Sequence, residues 1–148
     1  MFKRQFLLSW LFSSIGMFVL SYLWHGYVLL DFVNYGEPSG LILFYKIVIY
    51  LVIGFVIASV VRLKTFDKRL KYLPVVKGLI VGCVCGILFF ALSTFKGISF
   101  NVTLNHKYLL LNFFWQLFEQ MMGGIIVGVV HNLVFDPSMI AKEEENLN

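Results

Sequence analysis

The stretch that decides the fold is Tyr108–Leu133, which reads YLLLNFFWQLFEQMMGGIIVGVVHNL. It is long enough to cross a bilayer, because about 20 apolar residues span a hydrocarbon core of roughly 30 Å. At about 100° per residue, one broad face of a helix collects its polar side chains together with a glycine: Asn112, Gln116, Glu119, Gln120 and Gly123. A carboxylate near the middle of a membrane is costly and almost always faces other helices. We therefore expect Glu119 to face the interior of a helical bundle.

The composition places the whole chain in the membrane class. Of its 148 residues, 59% are hydrophobic and only 14% are charged, and the mean hydropathy is +0.85. These values exclude a soluble globular domain. Because the apolar runs are long and continuous, they favour helices over barrel strands, in which apolar and polar residues alternate. The predicted fold class is all-α, an integral membrane four-helix bundle.

The apolar runs predict one transmembrane domain over residues 1–148. Its spans cover about 6–30, 41–63, 75–95 and 108–133, and an acidic cytoplasmic tail follows at 136–148. Lys96 and Lys107 fall on one side of the membrane in this topology. A larger basic group falls on the other side: Lys3, Arg4, Arg62, Lys64, Lys68, Arg69, Lys71 and Lys77. The positive-inside rule then places both termini in the cytoplasm.

Glycines spaced four apart predict close helix packing in the cytoplasmic half. The third span contains Gly78, Gly82 and Gly86, and the fourth contains Gly124 and Gly128. Such small faces let helix backbones approach closely in lipid, where van der Waals contact drives association. The rise of about 1.5 Å per residue puts Gly82 level with Gly124 and Gly78 level with Gly128. We therefore predict an antiparallel pairing of these two spans.

The outer half contains bulky and polar side chains instead, which indicates helices that splay apart around a pocket. The candidate pocket has Glu119 near its floor and comprises Trp24, His25, Lys46, Asn112, Trp115, Gln116, Glu119 and Gln120. Structural interpretations stand beside this one. Trp24 is typical of an interfacial belt, Lys46 can extend its amine to the interface, and Glu119 can be a neutral, hydrogen-bonded structural residue. We expect that neutral form, with an ion pair to Lys46 as the alternative.

Few reaction chemistries suit this sequence, and we predict no catalytic residue, metal or cofactor. His25 and His131 lie near opposite ends of their spans, more than about 20 Å apart along the helix axes, so they cannot share an ion. Ser21 and His25 are four residues apart on one helix face, which is weak support for a nucleophile. The basic residues of 62–74 are explained by membrane topology and by anionic lipid, so nucleic acid is not an expected partner.

Two short segments carry a resemblance. Leu23–Gly26 (LWHG) and Gly123–Gly128 (GGIIVG) look like parts of small, uncharacterised bacterial four-span membrane proteins. That group has no established activity to transfer to particular residues. The resemblance implies four spans and the bacterial inner (cytoplasmic) membrane.

Two functions remain open. The first is a non-enzymatic membrane component, which packs against itself as a homo-oligomer or against a larger membrane partner; the small extramembrane parts and the missing catalytic motifs favour it. The second is a pathway for a small solute or for protons that uses Glu119 below the outward-facing pocket. A lipid-modifying enzyme is a more distant third possibility.

Overall fold

The computed structural model describes residues 2–28, 40–63, 73–99 and 106–133. Within those ranges the chain is helical and contains no strand. The helices are α1 (Phe2–Leu23), α2 (Gly40–Val61), α3 (Pro74–Ser99) and α4 (His106–Leu133), and a π-helical turn, Trp24–Val28, continues α1. All four helices are long and apolar enough to cross a membrane. The all-α prediction and the number of long apolar helices are thereby confirmed.

The helix boundaries lie close to the predicted ones, and local chemistry explains several of them. Pro74 is the first residue of α3, where its fixed φ suits a helix and its missing N–H is not needed. The last turn of α2 tightens, because the amides of Arg62 and Leu63 bond to carbonyls three residues earlier, at 3.2 and 3.0 Å. Most of the 62–74 loop and the whole 136–148 tail lie outside the described residues.

Sequential helices run antiparallel, which gives the molecule two distinct ends. α3 packs along α4, α1 packs against both α2 and α4, and α2 also touches α3 and α4. We call the end formed by Val28, Gly40, Ser99 and His106 the pocket end. The other end, formed by Phe2, Val61, Pro74 and Leu133, is the glycine end.

The glycine half is closely packed along the seam between α3 and α4, and all five predicted packing glycines lie on that seam. A Cβ atom placed on Gly78 would meet the Gly124 carbonyl, and one on Gly82 would meet the Gln120 carbonyl. On Gly86 it would lie 3.1 Å from Leu117 Cα. On Gly128 it would lie 2.6 Å from Val75 Cα. Side chains are excluded from this seam because the two backbones are in contact.

The register of this antiparallel pair differs from the predicted one by about one helical turn. Gly124 lies opposite Gly78, whereas the depth estimate placed it level with Gly82. The two predicted neighbours still touch, since a Cβ on Gly124 would lie 3.2 Å from Gly82 N. The estimate counted residues from assumed membrane boundaries, but the backbone contacts between the glycines decide the actual register.

The helix α1 closes the same half from the other side. The Ser13 hydroxyl donates to the Gly123 carbonyl of α4 at 2.9 Å, and the Trp10 indole donates to the Leu51 carbonyl of α2 at 2.7 Å. Met17 is fully buried and covers Gly123. The buried hydrophobic side chains lie between the middle of the molecule and the glycine end: Met17, Ile53, Ile57, Ala58, Val61, Val81, Cys85 and Val127.

Candidate functional site

A cavity of about 380 Å³ opens between the helices in the pocket half of the molecule. It runs from Leu109 and Asn112, near the pocket end, to Glu119 and Gln120 at about the middle of α4. Every helix contributes to its wall. The lining residues are Ser21, His25, Lys46, Ile49, Tyr50, Ile53, Phe90, Ser93, Thr94, Leu109, Asn112, Trp115, Gln116, Glu119 and Gln120.

Seven of the eight side chains predicted for the pocket line this one cavity; the exception is Trp24. Trp24 is the first residue of the π-helical turn, and its indole stacks on that of Trp115 with 4.1 Å between ring centroids and 6° between planes. Trp24 therefore packs against the lining residue Trp115 without itself lining the cavity. The stacked ring pair joins the end of α1 to α4 beside the cavity.

The floor of the cavity is formed by two adjacent polar residues of α4. Glu119 is 4% exposed and Gln120 is 1% exposed. Both are buried because the backbone of α4 at Gln120 already contacts Gly82 of α3, and one turn further on Gly123 contacts α1. The carboxyl group therefore lies where the open half of the molecule meets the closed half.

Side chains from two other helices meet the Glu119 carboxyl group. The Tyr50 hydroxyl of α2 is within hydrogen-bonding reach of Glu119 and also of the Ser21 hydroxyl of α1. Lys46, one helical turn from Tyr50 on α2, attracts Glu119 electrostatically. The floor thus joins α1, α2 and α4 through Ser21, Tyr50 and Glu119, and a cation lies above it.

Three buried polar atoms around the site have no hydrogen-bond partner among the described residues. They are Gln120 Oε1, Trp115 Nε1 and Trp24 Nε1. Trp115 lies close to the Glu119 carboxyl group, and its Nε1–H has no hydrogen-bond acceptor among the described residues. Since a buried polar group without a partner is destabilising, Gln120 Oε1 and Trp115 Nε1 are candidates to bond something in the cavity.

The remaining hydroxyl groups of the wall are largely satisfied by the helix that carries them. Ser93 Oγ and Thr94 Oγ1 both donate to the Phe90 carbonyl at 2.9 Å. Ile49, Ile53 and Phe90 add apolar surface between the polar groups. The cavity therefore combines a polar floor, a basic group and apolar walls.

The serine that the sequence offered as a weak nucleophile candidate is hydrogen-bonded to a tyrosine. Ser21 and His25, four apart in sequence, both line the cavity, but Ser21 is paired with Tyr50. Across the described ranges, no three His, Cys, Asp or Glu side chains are grouped closely enough to hold a metal ion. The chemistry that this geometry supports is binding by hydrogen bonds and charge.

The most important lining residue that sequence reasoning missed is Tyr50. It lies in the apolar run of α2, YKIVIYLVIG (45–54), where it resembles an ordinary lipid-facing aromatic residue. One signal was available, since Tyr50 follows Lys46 by four residues and must share its helix face. Ile49 and Ile53 give no such signal, because nearly every residue of α2 is apolar and two isoleucines do not mark one face.

Comparisons of the chain with protein-family models, with curated proteins and with solved structures give no match. The resemblance of LWHG and GGIIVG to small bacterial four-span proteins therefore stays an expectation. Only the geometry of the site therefore bears on the function of the chain.

Proposed function

We propose that the chain is a multi-pass membrane protein, a four-helix bundle with both termini in the cytoplasm, whose outward-facing cavity binds a small polar solute above Glu119. The observation that carries this proposal is the place of Glu119. It is 4% exposed and forms the floor of a cavity to which every helix contributes. A bacterial cytoplasmic membrane is the proposed location.

The free-energy cost of placing ionisable groups within a membrane supports a binding role for the site. Intramembrane carboxylates and lysines are expensive and mark substrate or ion pathways in many membrane proteins. A purely structural Glu119 needs only a partner, and Tyr50 supplies one. Helix packing alone does not require the open volume above it. That volume, about 380 Å³, falls within the range of small-molecule sites, about 300–1,000 Å³.

The closed half of the molecule would stop a solute or a proton from passing beyond Glu119. Immediately beyond Glu119, the Ser13–Gly123 hydrogen bond and the Met17 side chain join α1 to α4. The Gly78–Gly124 contact joins α3 to α4. A solute or proton that reaches Glu119 from the pocket end therefore stops there unless α1 separates from α4. We propose a site that is open to one side, and transport only with such a helix movement.

The second candidate is a non-enzymatic component of a membrane complex. The helix faces that line neither the seam nor the cavity carry large exposed hydrophobic residues, such as Phe44, Val52 and Leu88. These faces suit lipid, a second copy of the chain or a larger membrane partner. For the 62–74 loop the proposed contact is anionic lipid, attracted by its basic residues.

A thermal-stability screen of the purified protein in mild detergent tests the solute site. The probes are separate classes of small polar compounds: amines, carboxylates, zwitterions, sugars and polyols. A ligand at one hundred times its Kd stabilises the folded protein by about 2.7 kcal/mol. We expect at least one class to raise the Tm of the wild type and to lose that effect in Glu119→Gln.

Arg4→Gln is the control, since Arg4 is exposed near the glycine end, far from the cavity; it should respond like the wild type. A wild type that no class stabilises contradicts the solute site and leaves the membrane component as the function. The same conclusion follows if Glu119→Gln responds to every class as the wild type does.

A further inference from the structure

The floor of the cavity is formed by side chains that can accept hydrogen bonds. Gln120 is 1% exposed, lines the cavity, and its Oε1 has no donor among the described residues. The Glu119 carboxyl group beside it also accepts hydrogen bonds, and when ionised it carries a negative charge. A ligand group with several N–H donors and a positive charge fits this floor, and an ammonium group has both properties.

The wall above the floor has the opposite character. Lys46 lines the same cavity, and its ammonium group can only donate. An anionic oxygen of a ligand fits this group. A ligand carrying only a cation would be repelled by Lys46, and one carrying only an anion would be repelled by ionised Glu119.

The apolar walls between these groups determine the size and the shape of the ligand that fits. Ile49, Ile53 and Phe90 line the cavity with apolar surface. The volume of about 380 Å³ lies at the lower end of the range for small-molecule sites. It admits a compact molecule with one apolar side chain.

We infer that the ligand is a small zwitterion with an apolar side chain, of the class of α-amino acids, bound with its ammonium group at Glu119 and Gln120 and its carboxylate at Lys46. The inference rests on the proposed solute site. Lys46 attracts Glu119 electrostatically across the cavity. A zwitterion inserted between them replaces that attraction with two, one at each end of the ligand.

The test compares L-leucine with two molecules that each lack one charge, 3-methylbutylamine and 4-methylpentanoate. L-phenylalanine with phenethylamine and 3-phenylpropanoate forms a second set. Binding to the full chain in detergent is measured by titration calorimetry, and by the fluorescence of the stacked Trp24–Trp115 pair in a Trp10→Phe background. We expect at least one of the two amino acids to bind at least tenfold more tightly than both of its analogues.

Two variants assign the ends of the ligand. Lys46→Met should weaken binding of the amino acid at least tenfold and leave its amine analogue unchanged or bound more tightly. Gln120→Met should weaken the amino acid and the amine and leave the carboxylate unchanged. Arg4→Met removes a positive charge from an exposed position near the glycine end and should alter none of these affinities.

The wild-type series decides the inference even if a variant does not fold. Amines that bind as tightly as amino acids overturn the inference and leave a cation site, and carboxylates that do so leave an anion site. A panel in which only sugars or polyols bind also overturns it, while the proposed solute site stands. If no solute of any class binds, the proposed function fails with it.

Discussion

Glu119 shares its cavity with the one lysine that the sequence placed near it. The structure brings Lys46 close enough to attract the carboxyl group. This arrangement is compatible with both alternatives derived from the sequence, the neutral acid and the ion pair. The neutral acid stays a prediction for the protein without a ligand, whereas the ammonium group of a bound zwitterion would favour the ionised form. Infrared difference spectra of the wild type against Glu119→Gln distinguish the two: a protonated C=O band at neutral pH, absent from the variant, supports the neutral acid. A carboxylate band alone supports the ion pair.

Tyr50 is the residue whose role the structure adds. Its hydroxyl links Glu119 to Ser21, and Tyr50→Phe removes that link without changing the ring. We predict a loss of about 1 kcal/mol of stability, the usual contribution of one hydrogen bond, together with weaker solute binding. Thermal unfolding and the ligand titrations measure both effects.

The matched control for this change is Tyr45→Phe. Tyr45 is on the same helix and is 59% exposed, so losing its hydroxyl should change neither stability nor binding. If the two variants behave alike, Tyr50 has no special part in the site.

At the scale of the helices, the lengths were predictable and the inward faces only partly so. Continuous apolar runs determine the spans, because a membrane helix needs about 20 such residues. In α4 the polar residues mark the inward face, and the prediction around Glu119 followed from that. α2 is apolar apart from Lys46, so only the four-residue spacing from that lysine distinguishes the inward Tyr50 from the exposed Tyr45. The π-helical turn at Trp24–Val28 has no sequence signal that we recognise.

The seam between α3 and α4 gives a prediction at this scale. Gly124→Ala should destabilise the protein by about 1–3 kcal/mol, the usual range for overpacking, because the new Cβ would meet the Gly78 carbonyl. Gly82→Leu should destabilise it further, since a whole side chain would meet the backbone of α4 at Gln120. Thermal unfolding in detergent measures both variants.

Gly40→Ala serves as the control for the seam. Nothing lies within 4 Å of a Cβ at Gly40, so the same substitution there should have little effect. Equal Tm values for Gly124→Ala and Gly40→Ala would show that the close approach of α3 and α4 does not stabilise the protein.

For the whole molecule, the closely packed core and the open cavity lie in different halves. Core residues such as Ile57 and Val127 lie in the glycine half, whereas the open volume lies in the pocket half. The sequence predicted this division from the contrast of small residues with bulky polar ones. It missed the detailed register, because glycine contacts decide register and residue counting from assumed membrane edges does not.

The orientation of the whole molecule in the membrane is a separate prediction. The distribution of Lys and Arg places Ser39 outside and Lys68 in the cytoplasm. Single cysteines at these positions, in a Cys83→Ala, Cys85→Ala background, should react with an impermeant thiol reagent from opposite sides. Reaction of both from the same side would contradict the four-span topology.

We propose that the cavity is filled with water, opens only to the outside of the cell and ends at Glu119. The most direct measurement uses the same cysteine-free background and compares Gln116→Cys, which lies in the cavity wall, with Val127→Cys, which lies on the same helix but is 2% exposed in the closed half. In intact cells, Gln116→Cys should react with an impermeant methanethiosulfonate reagent and Val127→Cys should not. In inside-out vesicles neither should react. The proposed cavity would be contradicted if Gln116→Cys did not react in intact cells, or if it reacted in inside-out vesicles.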